Sequence, residues 1–253
     1  MTRTALTGPL SIHDYAAKLA SSGWAPPGSL DAEPEPLSAS VRWGRRLVPK
    51  SMRDGVKTTL TRALAPRERR RAAAIVASGR ELRLHPGCGP NHLDGWINID
   101  LVSTGPDLAW DLSRPAPFPD GSVAVIFNEH MLEHLPLPAA MGFLRECHRL
   151  LAAGGVLRVG VPDFGRYLRD YAGDRALIGC CRPGRPTALI ALSELVFCYG
   201  HASIWDEDTL VGAFTEAGFA SPAVHAFGES TLDPAPDSRW REPETLYVEA
   251  VKT

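Results

Sequence analysis

A Gly-Cys-Gly sequence in this 253-residue chain is followed, a short distance further on, by a single aspartate. Gly87, Cys88 and Gly89 follow a short run predicted to be a buried strand, and Asp100 stands at the carboxyl end of the next predicted strand. Glycine lets the backbone approach a ligand closely, and an acid at a strand end can accept hydrogen bonds from both hydroxyls of a ribose. The pattern therefore predicts a cofactor that contains a nucleoside.

The spacing of this motif differs from that of dinucleotide-binding proteins. Those proteins have three glycines in G-x-G-x-x-G, a full helix after the turn and an acid about 20 residues further on. Here Asp100 follows Gly87 by only 13 positions, which leaves too little chain for a crossover helix between the two strands. The pattern favours a cofactor without phosphates, and we expect helices from the N-terminal part of the chain to cover this face of the sheet.

A second polar stretch, NEHMLEH at residues 128–134, follows the apolar run Val123–Phe127. An apolar run of this length predicts a parallel strand buried on both faces, and open α/β sheets bind ligands at the carboxyl ends of such strands. A histidine with a pKa near neutrality can accept a proton from a reacting group. We therefore expect this stretch to border a site of chemistry.

The same letters also spell H-x-x-E-H, the signature of a class of zinc hydrolases. In that class His130 and His134 would bind zinc and Glu133 would activate water. The signature requires a stable helix, but a predicted strand precedes these residues and Pro136 and Pro138 follow them at once. A zinc-dependent hydrolase remains an alternative function with a different chemistry.

Taken together, these motifs resemble class I S-adenosylmethionine-dependent methyltransferases, in particular a small bacterial branch whose first motif reads LHLGCGP…GWINVDL. The resemblance runs from about Leu82 to Phe219, slightly over half of the chain. It implies binding of S-adenosyl-L-methionine by eleven residues, and it assigns no metal ligand. The residues are His85, Gly87, Cys88, Gly89, Asp100, Leu101, Asp111, Leu112, Asn128, Glu129 and His130.

The resemblance also implies roles for individual side chains. Asp111 would contact the adenine amine, and Glu129 would favour a positively charged cofactor over its neutral product. The base that assists methyl transfer would be His130, His134 or His201, the last of which lies in a Gly-His motif of the family. The acceptor would be a hydroxyl or an amine of an unidentified small molecule or glycan.

Strands and helices alternate along the chain, with about seven strands in all. This alternation predicts an α/β fold with a doubly wound, mostly parallel, Rossmann-like sheet and an N-terminal helical extension. We expect an N-terminal segment with a proline-rich linker at 1–40, a basic helical arm at 41–80 and a methyltransferase domain at 81–253. The last region would contain a substrate-side insert at 163–200.

Charge is divided unevenly along the chain. From Val41 to Arg83 there are 13 Arg and Lys against 3 Asp and Glu, whereas the rest of the chain from Leu84 has 12 against 22. A basic arm of this kind either packs on the acidic domain or contacts an anionic surface. The second case leaves open a non-catalytic, cofactor-binding or membrane-surface accessory protein. No specific nucleic acid is predicted, and the sequence leaves the oligomeric state open.

Five cysteines without a CxxC pair favour a reducing compartment. The N-terminus shows no apolar segment typical of secretion, and no apolar run approaches 18 residues. These features predict a cytoplasmic protein.

Overall fold

The computed structural model describes residues 11–20, 50–102 and 105–253, without the side chains of 18–20 and 50–54. The predicted proline-rich linker and the start of the basic arm lie outside these residues. A single sheet of seven strands forms the centre of the fold. The strands are β1 (Arg83–Pro86), β2 (Ile97–Asp100), β3 (Leu108–Ala109), β4 (Val123–Glu129), β5 (Leu151–Pro162), β6 (Ala223–His225) and β7 (Thr245–Val251).

The strand order is β3-β2-β1-β4-β5-β7-β6, in which β7 runs antiparallel to both neighbours and the other pairs are parallel. This order confirms the predicted doubly wound, mostly parallel sheet. Leu84 lies between Ile97 and Ile126, and all three are buried, as expected for strands covered on both faces. The order reverses between β1 and β4, which is where open α/β sheets bind their ligands.

Seven α-helices flank the sheet within the described residues. They are α1 (Ile12–Ala20), α2 (Lys50–Ala77), α3 (Leu137–Leu150), α4 (Phe164–Ala172), α5 (Ala176–Cys181), α6 (Ala188–Phe197) and α7 (Glu207–Glu216). Asp206 caps α7 by accepting a hydrogen bond from the Thr209 N–H at 3.0 Å, as its position predicts. None of the helices in the described segments has the length and apolar character needed to cross a bilayer.

The basic helix α2 packs beside β3, and no helix lies between β1 and β2. Ala65 and Ala72 of α2 belong to the main core, and the Glu68 carboxylate accepts a hydrogen bond from the Ala109 N–H at 3.2 Å. The helix runs without interruption through Pro66, although a proline inside a helix usually kinks or breaks it. Packing on both sides of Pro66 stabilises one helix, because tertiary contacts contribute most helix stability.

Two glycines lie in the strand that follows α3. The helix ends at Leu150, and Gly154 and Gly155 both lie within β5. A Cβ on Gly155 would lie 2.9 Å from the Ala152 carbonyl oxygen and 3.1 Å from that of Ala124. The glycine is therefore required by the close approach of backbone atoms rather than by a helix end.

The insert between β5 and α7 has a small core of its own, formed by α4, α5 and α6. Its buried side chains are Tyr167, Ile178, Cys181, Ala191, Leu192 and Leu195. Buried Arg182 links this core to the segment before β7 through Glu244, with Nη2 2.8 Å from the carboxylate. The insert is thus fixed to one end of the sheet.

Candidate functional site

A cavity of about 900 Å³ opens at the carboxyl ends of β1, β2 and β4. Its volume lies in the range typical of small-molecule sites. Ten of the eleven residues predicted to bind a cofactor line it. These are His85, Gly87, Cys88, Gly89, Asp100, Leu101, Asp111, Leu112, Glu129 and His130.

The glycine turn after β1 forms one wall of the cavity. Gly87 has φ +74°, and a Cβ on it would lie 2.0 Å from the Met131 Cγ, so no other residue fits there without displacing Met131. Gly89 has φ +52°, but a Cβ on it would meet no atom within 4 Å. Since Gly89 lines the cavity, this open space is available to a ligand that contacts the turn.

Asp100 connects the end of β2 to the glycine turn. Its carboxylate accepts hydrogen bonds from the Gly89 N–H at 2.7 Å and the Leu101 N–H at 2.5 Å. A carboxylate has about four acceptor positions, so two backbone donors leave capacity for the hydroxyls of a ligand. The side chain therefore both positions the turn and faces the cavity.

His85 lies buried at the end of β1, where its Nδ1 is 3.2 Å from the Asn98 Oδ1. Burial lowers the pKa of His85 to about 4, against the opposing hydrogen bond with Asn98. The imidazole is therefore neutral near pH 7. Because the Asn98 Oδ1 accepts, His85 donates from Nδ1 and presents Nε2 as an acceptor.

Helix α2 reaches the cavity at Asp111. The Arg62 Nε donates to the Asp111 carboxylate at 2.7 Å, and the Ser113 backbone and hydroxyl donate to its other oxygen. Burial would raise the pKa of Asp111, but the hydrogen bonds from Ser113 and Arg62 outweigh burial and hold the pKa below its usual value. Lys57 and Thr58 of the same helix also line the cavity, which the sequence did not predict.

Neighbouring residues at the end of β4 differ in position. The Glu129 Oε1 accepts hydrogen bonds from the Tyr247 hydroxyl at 2.6 Å and the Ser238 N–H at 3.1 Å, and Glu129 lines the cavity. Asn128 is fully buried and does not line it. Side chains alternate between the two faces of a strand, so the Asn128 side chain lies on the face opposite to that of Glu129. The role of Asn128 as a cofactor contact stays a prediction.

His130 begins the turn after β4 in the left-handed backbone region, with φ +52°. The Thr245 hydroxyl donates to the Arg241 carbonyl oxygen, so the His130 Nε2, 2.9 Å from the Thr245 Oγ1, is the donor to that hydroxyl. Burial, followed by the nearby charges of Arg241 and His201, holds the pKa of His130 well below its usual value. The ring is therefore neutral and a weak base.

The other two candidate bases lie next to each other beyond this turn. The rings of His134 and His201 have centroids 5.0 Å apart, and the His201 Nε2 is 3.9 Å from the Glu133 Oε1. Burial raises the pKa of Glu133 to about 8. A second cavity of about 140 Å³ lies against these three residues, and His134 lines both cavities.

Residues 106–159 match the family model described as a methyltransferase domain. A protein of Mycolicibacterium smegmatis, named a probable S-adenosylmethionine-dependent methyltransferase, is 32% identical over 148 residues, which cover 54% of this chain and 51% of that protein. This part of the chain is similar to a methyltransferase domain. Together the two matches confirm the resemblance predicted from the sequence, and the chain spans about half the length of the curated relative.

Solved structures of methyltransferases also resemble the chain. One is a SAM-dependent methyltransferase from Archaeoglobus fulgidus, with 13% identity, a TM-score of 0.45 and coverage of 78% of this chain and 94% of that one. Another is the geranyl diphosphate C-methyltransferase from Streptomyces coelicolor, with 13% identity, a TM-score of 0.43 and coverage of 69% and 73%. The fold itself is established by the strand order of the sheet.

The zinc-hydrolase alternative depended on a helix through residues 130–134. Residues 130–134 form no such helix: only Leu132–His134 form a single 3-10 turn, and His130 precedes it with a left-handed backbone. His130 and His134 therefore do not share a helix face, and the structural context of that signature is missing.

Sequence reasoning missed the segment before β7, which also lines the large cavity. Pro236, Asp237, Ser238, Arg239, Trp240 and Arg241 all line the cavity. The only sequence signal was the cluster of a tryptophan between two arginines in a region without a motif. Buried Arg158 of β5 fixes this segment through an ion pair of 2.6 Å between its Nη2 and the Asp237 Oδ2.

Proposed function

We propose that the chain is an S-adenosylmethionine-dependent methyltransferase that methylates a hydroxyl or an amine of a small-molecule or glycan acceptor. The observation that carries the proposal is the large cavity, which brings together ten residues predicted independently as cofactor contacts. When bound, S-adenosylmethionine supplies an electrophilic methyl group on a positively charged sulfur. The domain match and the curated relative support the same reaction class.

One end of the cavity, formed by the glycine turn after β1 together with Asp100 and Asp111, suits a nucleoside cofactor. We call it the glycine end. Gly89 leaves open space where a side chain would otherwise fill the cavity, and Asp100 has acceptor capacity beyond its two backbone donors. Asp111 lines the cavity beside Leu112 and would bind the adenine amine. The hydrogen bonds from Arg62 and Ser113 hold the Asp111 carboxylate in one orientation for that role.

The residues at the other end of the cavity, at the tip of β4, suit the molecule that accepts the methyl group. Glu129 supplies a negative charge at the tip of β4, which favours a cationic cofactor over its neutral product. His130 is a weak base and would chiefly orient the methyl acceptor. His134 and His201 lie next to each other beyond the turn that His130 begins, and they are the stronger candidates for the group that accepts a proton. The enzyme contributes mainly by alignment of the two reactants, an effect worth up to about 7–11 kcal/mol in ideal geometry.

Titration of the full chain with S-adenosylhomocysteine in a calorimeter tests the cofactor assignment. We expect one molecule to bind per chain, and Asp100→Asn to weaken binding by about 10- to 100-fold, the range for hydrogen bonds to a charged group. Asp94→Asn is the matched control, since Asp94 is exposed and does not line the cavity. A wild-type chain that does not bind the probe, or an Asp100→Asn variant that binds it as well as wild type does, contradicts the proposal.

The basic arm has a simpler role than contact with an anionic surface. Arg62 is paired with Asp111, and both Ala65 and Ala72 are buried in the main core. We therefore propose that α2 closes the adenine end of the cavity as an integral part of the methyltransferase domain.

A further inference from the structure

Glu133, His134 and His201 all line the small cavity, and His134 also lines the large one. Each offers one ligand atom, and these atoms all lie within 4.8 Å of one another. We propose that the three side chains bind a divalent transition-metal ion. This site is separate from the proposed cofactor contacts, so the cofactor assignment is independent of it. A metal bound to His134 and His201 would, however, replace their proposed role as proton acceptors.

The strongest indication is the carboxylate of Glu133. Glu133 is 1% exposed and lines the small cavity, yet neither of its carboxylate oxygens has a hydrogen-bond partner among the described residues. The nearest imidazole nitrogens are 3.7 Å away in His130 and 3.9 Å away in His201, beyond hydrogen-bond distance. A buried carboxylate without partners is costly, and a cation would supply the missing interactions.

The backbone holds these ligands in place. The N–H groups of Ala202 and Ser203 donate to the Glu133 carbonyl oxygen at 2.8 and 3.1 Å, which fixes the loop of His201 against the turn of Glu133. The His134 Nδ1 is 3.3 Å from the Gly200 carbonyl oxygen and donates to it. Histidines that bind metals usually donate their other ring N–H to such a carbonyl, which leaves Nε2 as the ligand.

The charges around the group also suit a cation. Arg182 is paired with Glu244 at 2.8 Å, and the Arg241 Nε lies 3.7 Å from the Glu129 Oε2. Both arginines thus lie close to a carboxylate other than that of Glu133.

Two imidazoles and one carboxylate define the chemistry of the ion. This set suits zinc or a neighbouring first-row metal rather than magnesium or calcium, which prefer oxygen ligands. Three protein ligands leave a coordination position open, as in catalytic zinc sites. The small cavity of about 140 Å³ has room for water or an acceptor oxygen at that position.

The proposed ligands differ from those of the H-x-x-E-H signature. There, His130 and His134 would bind the metal and Glu133 would act on water. Here Glu133 is itself a ligand, and His201 takes the place of His130, whose Nε2 already donates to Thr245. A His130→Gln variant therefore distinguishes the two arrangements.

Zinc titration of the chelator-treated full chain tests the site. We expect one equivalent of Zn²⁺ to bind. Glu133→Gln, His134→Gln and His201→Gln should each weaken binding by more than about 10-fold, because loss of a residue that only hydrogen-bonds to a metal ligand already weakens metal binding by about that much. We expect His130→Gln and His225→Gln, the matched controls, to bind as wild type does. Absence of stoichiometric binding to wild type, or an equal loss in His225→Gln, overturns the proposal.

A Co²⁺ spectrum of the wild-type chain tests the donor atoms without any substitution. We expect visible d–d bands of a nitrogen and oxygen site without the thiolate charge-transfer band that binding by the exposed Cys180 or Cys198 would give. A thiolate band overturns the assignment. Circular dichroism shows which variants are folded, and S-adenosylhomocysteine titration of the same samples separates failure of this site from failure of the cofactor assignment.

Discussion

The two ends of the large cavity are held in place by different interactions. At the glycine end, backbone groups and Asp100 bond to one another within the span of β1 and β2. At the acceptor end, buried ion pairs join residues far apart in sequence, such as Arg158 with Asp237 and Arg182 with Glu244. The first arrangement depends on local backbone geometry, and the second depends on the complete tertiary fold.

The largest effect is expected at the acceptor end, from Arg158→Met. Arg158 is fully buried and pairs with Asp237 at 2.6 Å and Glu249 at 3.2 Å. Removing one member of a buried ion pair leaves the other charge without compensation, which costs about 3–5 kcal/mol. Denaturant unfolding should show a loss of this size in the free energy of unfolding.

Arg239→Met is the matched control for this substitution. Arg239 also pairs with an acid, Glu242 at 3.4 Å, but its side chain is 80% exposed. An exposed ion pair contributes about 0–1 kcal/mol, so the control should unfold nearly as wild type does. Equal losses of unfolding free energy in the two variants would show that burial does not determine how much an ion pair stabilises this end of the cavity.

At the glycine end, Gly87→Ala should have the next largest effect. The new Cβ requires a left-handed backbone and would lie 2.0 Å from the Met131 Cγ. Left-handed backbone costs about 1–2 kcal/mol and overpacking adds about 1–3 kcal/mol, so we expect a loss of about 2–5 kcal/mol in unfolding free energy. Affinity for S-adenosylhomocysteine should fall as well, because the turn lines the cavity.

Gly89→Ala separates backbone strain from the clash at Gly87. Gly89 also has a positive φ, but its Cβ would meet nothing within 4 Å. We expect about 1–2 kcal/mol of lost stability from the backbone alone. If Gly89→Ala destabilises the chain as much as Gly87→Ala does, contact with Met131 contributes nothing.

The same contrast explains what the sequence could predict. The glycine turn and Asp100 lie in one short contiguous stretch of sequence, and the structure places ten of the eleven predicted contacts around one cavity. Asn128 does not line this cavity, and the sequence motif does not show which face of the strand each side chain takes. The segment before β7 reaches the cavity only through tertiary contacts such as Arg158 with Asp237, which leave no local pattern.

The smallest expected effect is a loss of stability at acidic pH. It tests whether the glycine end depends on a neutral His85. The pKa of His85 is lowered by burial from 6.5 to about 4 in the folded chain. Between these values the unfolded chain binds a proton that the folded chain excludes, so stability falls as the pH falls. We expect His85 to contribute a loss of about 1 kcal/mol between pH 7 and pH 5.5, from the shift in its pKa.

His85→Gln removes the group that binds this proton. Its unfolding free energy, measured by denaturant titration at pH 7 and pH 5.5, should therefore depend less on pH than that of wild type. Parallel curves for the two proteins would mean that the folded and unfolded chains bind protons equally at His85, which contradicts the lowered pKa.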